Sequence, residues 1–484
     1  MTDATHLDVL IVGAGLSGID AAVHISQAFP SKNYALLEQR SELGGTWSLF
    51  KYPGIRSDSD MYTLGFGFRP WTGKDAIGDG ADILQYLKET ATEYGVDQKI
   101  RYNRKATKYS WSTEDKRWTV TVENTETGAT ETLTASFLFS TSGYYNYDAG
   151  YTPDWPGFQD FKGQVIHPQA WPEDLDYTGK RVVVIGSGAT AVTLIPSMAR
   201  EAGHVTMLQR TPTWIVSQPK IDPVAQTLKK TLPAAVAAKA IHARYAAITI
   251  GFYEFCIRNP RAARAILKRW AKIHLPKDFD YDTHLTAPYD PWQQRLCVVP
   301  GADLFKAIHS HKVDIVTDHI EQFTETGILL KSGKVLEADI VVTATGLDVV
   351  AMGKAEIEVD GEKVDLGKSF TYKALMLSDI PNFAFVIGYS NASWTLKADL
   401  VCQYVVRLLE HMDETNTAVV TPRINGELEP QQLFGGLQSG YLARAEGKLP
   451  VAGDRDPWRL KHNWYFDKKF LRKSKVDDGV LEFH

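Results

Sequence analysis

Two glycine turns carry the residues with the plainest chemical meaning. Gly13, Gly15 and Gly18 form G-x-G-x-x-G directly after the apolar run "LDVLIV", with Ser17 inside the turn. The first glycine permits a tight turn and the second lets backbone approach a pyrophosphate. The third lets the following helix pack closely, with its N-terminus aimed at the anion. The next apolar run, "YALLEQR", carries Glu38, whose carboxylate can accept both hydroxyls of a ribose and would repel a 2′-phosphate. The first turn therefore suits a nucleotide with a free ribose, FAD or NAD. Gly186, Gly188 and Ala191 repeat the grammar as G-x-G-x-x-A, enclosing Ser187, Ala189 and Thr190. Its second strand, "HVTMLQRTP", presents Gln209, Arg210 and Thr211 in place of an acid. A cation beside a hydroxyl suits a 2′-phosphate, hence NADPH over NADH. A surface ion pair is the plainer use of Arg210. One ribose-selective and one phosphate-selective turn point to two nucleotides, FAD first and NADPH second, and so to hydride transfer from nicotinamide to flavin.

Those turns need parallel strands and helices behind them. "LDVLIVGAGLSGIDAAVHIS" and "KRVVVIGSGATAVTLIPSMA" each read as strand, turn and helix, so the expected fold is α/β with two Rossmann-like domains. "RWTVTVEN" and "TLTASFLFSTSG" pattern as strands between them, and "KVDIVTD", "GILLKSG" and "ADIVVTATG" resume strands later. Residues 212–300 read instead as a helical insertion. The expected division is 1–145 with 346–484 for FAD, 146–211 with 301–345 for NADPH, and 212–300 as the insertion. The stretch "GYSNASWTLK" and the insertion are expected to shape the substrate pocket. For Trp214, Phe252, Tyr253, Trp292 and Trp394 the default is a packed core.

Bulk properties narrow the function. The 484 residues are 44% hydrophobic and 23% charged, an ordinary globular balance. A net charge of −5 argues against nucleic acid as a partner. Three widely spaced cysteines, Cys256, Cys297 and Cys402, give neither a disulfide framework nor C-x-x-C, which favours a reducing, cytoplasmic setting. They also leave a reduced flavin no dithiol to serve, so oxygen is the better electron acceptor. The N-terminus has no signal pattern. "PAAVAAKAIHARYAAITIGFYEFC" is broken by Lys239, His242 and Arg244, so no transmembrane segment is expected, while surface contact with a bilayer stays open.

Phe161, Gly163, His167 and Trp171, followed by Pro172, spell F-x-G-x-x-x-H-x-x-x-W ahead of the second turn. "GGTWSLFKYPGIRSD" supplies Gly45, Thr46, Trp47, Tyr52, Pro53, Gly54 and Asp58, and "DPWQQRLCVVPGADLFKAI" places Arg295. Together these resemble the signatures of the Baeyer–Villiger monooxygenases, class B flavoproteins, in a short bacterial branch. The resemblance runs along nearly the whole chain. It implies oxygen insertion into ketones to give esters or lactones through a C4a-peroxyflavin, with sulfoxidation of thioethers or thioamides beside it.

Within that resemblance Arg295 holds the family's active-site arginine position, and Asp58 pairs with and orients it. Arg56 and Ser57 fall near the nicotinamide, and Gly45, Thr46 and Trp47 at the flavin. The fingerprint lies on a linker, so His167 is expected to hold backbone at a hinge in preference to moving a proton. Trp171 is expected as a packing anchor. Larger relatives carry Lys-Arg where this chain has Gln294 and Arg295, which leaves 2′-phosphate recognition to Arg210 and Thr211. An S- or N-oxygenating flavin monooxygenase is the nearest alternative, and those relatives usually have Tyr or Phe at Trp171. A non-catalytic redox sensor binding both nucleotides is the alternative from another class.

Overall fold

A computed structural model describes residues 6–484. Residues 1–5, the start of the stretch read as lacking a signal pattern, lie outside them. A nine-stranded sheet and a five-stranded parallel sheet organise the chain. In the larger sheet β1 (His6–Val12) lies between β2 (Tyr34–Leu37) and the far end of β5 (Thr130–Ser140), parallel to both. Antiparallel β3 (Arg104–Ser112) and β4 (Arg117–Asn124) extend it beyond β5. β2 and the Val9–Val12 part of β1 read as unbroken apolar runs because both faces of the parallel region are covered.

In the smaller sheet the order is β9, β8, β7, β10, β6. Here β6 is Gln164–Ile166, β7 Arg181–Ile185, β8 His204–Gln209, β9 Val313–Thr317 and β10 Ile340–Thr343. The inner strand β10 and the edge strand β9 come from beyond residues 212–300, so this sheet is interrupted in sequence. A late strand, β11 (Phe383–Phe385), rejoins the larger sheet against β5.

Helix α1 (Leu16–Ala28) follows the first turn, and α2 (Ala189–Met198) the second. The insertion carries α3 (Ala234–Arg258) and α4 (Pro260–His274). It is also bounded by a short parallel pair, Ile215–Gln218 with Cys297–Pro300, so it leaves and returns as sheet. α5 (Asp303–His309) follows. The long helix α6 (Thr395–Thr415) packs on α1 and on α7 (Trp464–Lys473). α6 buries Leu400, Val401, Val405 and Leu408, each contributing about 1.5–3 kcal/mol by leaving water. Among the described residues no helix is long and apolar enough to cross a membrane. All three cysteines are buried and unpaired.

Candidate active site

The first turn is shaped by two steric needs. Gly13 has φ +105°, and a Cβ there would lie 2.8 Å from the Thr141 carbonyl oxygen. A Cβ on Gly18 would lie 1.9 Å from the Gly13 carbonyl oxygen, so α1 can lean on the turn only without a side chain. Gly15 differs: its nearest neighbour is the Gly45 Cα, at 3.5 Å from a Cβ built there. It caps α1 with no side chain, which leaves the first N–H groups of the helix open to an anion. Glu38, only 4% exposed, accepts from the N–H of Ala14 and of Arg40, each at 3.0 Å. Burial raises its pKa against the pull of those donors.

Beside this turn lies a cavity of about 320 Å³. Gly13, Gly15, Ser17, Glu38, Gly45, Thr46 and Trp47 line it, as do Arg56, Ser57, Asp58 and Arg295. Arg295 Nε stands 3.9 Å from Asp58 Oδ2, with the guanidinium side chain 35% exposed and the carboxylate side chain 18%. Burial raises the Asp58 pKa, opposed by Arg295 and then Arg56. Burial also works against the Arg295 charge, but Asp58, Tyr144, Tyr441 and Tyr145 outweigh it and hold the pKa above its usual value. The site therefore keeps a fixed cation at neutral pH. Arg56 instead pairs with Asp303 at the start of α5, Nη1 to Oδ2 at 2.5 Å. The Ser57 N–H donates to the Gly78 carbonyl, and its hydroxyl accepts from the N–H of Ser59.

Sequence reasoning missed an aromatic wall. Tyr144 stacks on Trp394, with ring centroids 5.2 Å apart and planes at 13°, and its hydroxyl lies 2.8 Å from that of Tyr145. The Trp394 indole donates to the Ser17 hydroxyl at 2.8 Å. Burial pushes the Tyr145 phenol up to about 12, so it stays neutral. The run "SGYYNY" directly after β5 was the available signal. Trp394 corrects the expectation of a packed core, because it lines the cavity. Trp214 does fill a core, with its indole donating to the Tyr289 carbonyl. Phe252 and Trp292 pack against the same small cluster, and Tyr253 meets Trp292 edge-on at 5.4 Å. The insertion's helices do not shape this cavity. Of 212–300, Arg295 alone among the described residues lines it, from the loop before Cys297–Pro300. α3 instead buries Ala246 and Ile250 in the main core.

The second turn repeats the steric pattern. Gly186 has φ +134°, and a Cβ would lie 2.3 Å from the Ala344 carbonyl oxygen. At Gly188 an added Cβ meets nothing within 4 Å, which leaves the approach to the backbone open. Ala191 is fully buried against the strand. Ala189 and Thr190 reach the cavity of the first turn. Gly186, Ser187, Gly188, Gln209, Arg210 and Thr211 lie outside its lining. Arg210 is exposed and Thr211 half-buried, and the Thr211 carbonyl accepts from the Ser187 hydroxyl at 3.0 Å. The Gln209 side chain turns inward, its amide donating to the His284 carbonyl at 2.6 Å and the Thr317 hydroxyl at 2.9 Å. The open glycines, the bare helix N-terminus and the buried Glu38 acceptor fit a ribose-bearing pyrophosphate at the first turn. Open Gly188 with exposed Arg210 fits a second, phosphorylated one.

None of the four fingerprint residues lines the cavity. Phe161 packs edge-on to Phe323 at 6.2 Å, and a Cβ on Gly163 would lie 2.5 Å from the Asp339 carbonyl oxygen. His167 Nδ1 accepts from the N–H of Gln169 at 3.2 Å, so the proton sits on Nε2, facing the Gly346 carbonyl at 3.3 Å. Burial lowers its pKa, which keeps the ring neutral. Both ring nitrogens are thus engaged by backbone. Trp171 is half-buried against the core of the smaller sheet.

Comparison with known proteins shows the family. A family model described as flavin-binding monooxygenase-like matches residues 78–412, and one described as an NAD(P)-binding Rossmann-like domain matches residues 11–74. The chain is 51% identical to the FAD-containing monooxygenase EthA of Mycobacterium tuberculosis (strain ATCC 25618 / H37Rv), over 99% of this chain and 98% of the relative. It is 46% identical to the probable FAD-binding monooxygenase AlmA of Acinetobacter baylyi (strain ATCC 33305 / BD413 / ADP1), over 99% and 96%. Among solved structures it resembles an oxidized steroid monooxygenase bound to NADP, with a TM-score of 0.77, 21% identity and 99% of each chain covered. A complex of OTEMO with FAD and NADP gives 0.76 at 21% identity over 100% of both chains. At that identity the likeness is one of fold.

Proposed function

The chain belongs to the flavin-binding monooxygenase-like family and is an FAD- and NADP-dependent monooxygenase, and from this premise we propose that its reaction is of the Baeyer–Villiger type. Ketone, O2, NADPH and a proton give ester or lactone, NADP+ and water. When bound, the two cofactors supply hydride transfer and oxygen activation. In this reading residues 1–145 with 346–484 hold FAD, and 146–211 with 301–345 hold NADPH. The first-turn N–H groups take the flavin pyrophosphate and Glu38 its ribose, while Arg210 and Thr211 take the 2′-phosphate.

The observation that carries the proposal is Arg295 facing Asp58 in a cavity that both turns reach. Negative charge grows on a carbonyl oxygen as the carbon becomes tetrahedral, and a preorganised cation stabilises it without reorganising at that moment. Arg295 supplies that cation, and Asp58 fixes its direction. Tyr144, Tyr145 and Trp394 form an aromatic wall of the same cavity. His167, neutral and held by backbone, serves as a hinge contact between the linker and Gly346. The three buried, unpaired thiols favour a cytoplasmic setting.

Oxygenation of sulfur or nitrogen is the second reading, since the family description does not distinguish these substrates. A panel of one aryl ketone and one thioether, with NADPH consumption and product measured together, separates the two. Ester formation coupled to NADPH use supports the proposal. Sulfoxide with no ester overturns it.

A further inference from the structure

Behind the first turn, three side chains with no part in the reaction above converge between α1 and α6. Asp20 has no exposed surface, and its carboxylate oxygens meet no N–H or O–H hydrogen-bond donor among the described residues, only the weak thiol donor of Cys402 on α6. His24, one helical turn on, directs Nε2 to within 3.5 Å of Asp20 Oδ1 and 3.0 Å of Asp399 Oδ1 on α6. The side chains of His24 and Asp399 are 18% and 20% exposed, so solvent ions reach the cluster from one side. The Gln403 amide donates to the second oxygen of Asp399 at 2.7 Å, and Arg472 approaches that oxygen at 4.0 Å.

The Asp20 carboxylate, fully buried without a strong hydrogen-bond donor, is the feature that ordinary packing leaves unexplained. The His24–Asp399 hydrogen bond satisfies those two groups, whereas Asp20 keeps only the Cys402 thiol and His24 Nε2 at 3.5 Å. A buried carboxylate is relieved either by a proton or by a cation. The three donor atoms lie within 4.8 Å of one another. Tetrahedral ligands about 2.0–2.1 Å from zinc stand about 3.3 Å apart; the two separations from His24 are 3.0 and 3.5 Å, and the two carboxylates lie within 4.8 Å of each other. One imidazole and two carboxylates also balance a double positive charge, and an imidazole favours a borderline transition metal over calcium or magnesium.

We propose that Asp20, His24 and Asp399 form a binding site for a divalent transition-metal ion, zinc by the donor set, with solvent in the remaining position. The ion clamps α1 to α6. Trp394, which immediately precedes α6, already donates to Ser17 in the first turn of α1. The metal adds a second tie one turn along the same pair of helices. Its role is structural, supporting the helix that presents the first nucleotide turn.

The test uses flavin-loaded protein stripped with a chelator, then titrated calorimetrically with zinc chloride, with melting temperature followed in parallel. The wild type takes up one equivalent per chain and melts higher when loaded. Asp20→Asn, which preserves side-chain shape, and His24→Ala lose both responses. Retention of yellow flavin in Asp20→Asn shows that the fold survives. A wild type that binds no zinc, with Asp20→Asn melting at or above it, means that Asp20 is relieved by a proton alone and overturns the proposal. Undiminished zinc binding by Asp20→Asn overturns it equally. Neither outcome depends on which substrate the enzyme oxygenates.

Discussion

Arg56 meets Asp303 at 2.5 Å, joining the loop beside the first nucleotide turn to the start of α5 behind the second. Arg56 Nη2 also lies 3.5 Å from the Val192 carbonyl on α2, and its side chain is only 7% exposed. The contact fixes how the two nucleotide units face one another across the cavity. Asp303→Ala leaves a nearly buried guanidinium without its partner and is expected to cost about 2–3 kcal/mol. Denaturant unfolding of the flavin-loaded protein measures this. A change below about 0.5 kcal/mol, the range of a neutral surface substitution, counts against the structural importance of the pair.

The glycines of the second turn should separate sharply. Gly186→Ala forces a side chain onto the Ala344 carbonyl at φ +134° and should give little folded protein. Gly188→Ala meets no atom within 4 Å, so it should fold, hold flavin, and show a KM for NADPH raised about tenfold or more. Steady-state kinetics beside flavin content decides this, and an unchanged KM would place the nucleotide elsewhere.

In the proposed reading, exposed Arg210 is the cation that meets the 2′-phosphate. A charge-assisted contact of about 1.5–3 kcal/mol corresponds to a 10- to 100-fold change. Arg210→Ala should raise the KM for NADPH by that factor and leave NADH oxidation unchanged. Equal loss with both nucleotides would contradict the assignment.

Asp60 caps the short helix Met61–Leu64 by accepting from the Thr63 N–H at 2.8 Å, and burial pushes its pKa up to about 6. A carboxyl raised in the folded state binds its proton more tightly there than in the unfolded chain. Its contribution is therefore full below the unfolded pKa of about 4 and is lost as pH rises to about 6. The loss is on the order of 3 kcal/mol. Asp60→Asn keeps an oxygen for the cap and carries no charge, so it should flatten the pH dependence of stability between those values. Melting curves at pH 4 to 7 for both proteins provide the check.

The local grammar of this chain was legible because glycine spacing after an apolar run has few physical uses. Gly13, Gly18 and Gly186 stand where side chains would collide with backbone, and Glu38 directly follows β2 with its carboxylate at the turn. The convergence of Asp58 and Arg295 came from resemblance, since no periodicity relates positions so far apart. What escaped were directions and distant partners. The sequence assigns Gln209 to the end of β8 but cannot say that its amide turns inward to His284 and Thr317. It offers "SGYYNY" without showing that Tyr144 stacks on Trp394. Residues 212–300 read as helices around a pocket, yet those helices serve the core and only the returning strand's approach delivers Arg295. Asp303 lay in a motif quoted for Arg295, and nothing local linked it to Arg56.

The central claim is that the Arg295 guanidinium supplies the fixed charge for oxygen insertion, and ester formation by Arg295→Ala tests it most directly. The account predicts yellow protein that NADPH still reduces, with the ester-forming rate down by about 100- to 1,000-fold, the cost of removing one preorganised charge-stabilising donor. Ester formed at the wild-type rate by that variant would contradict it.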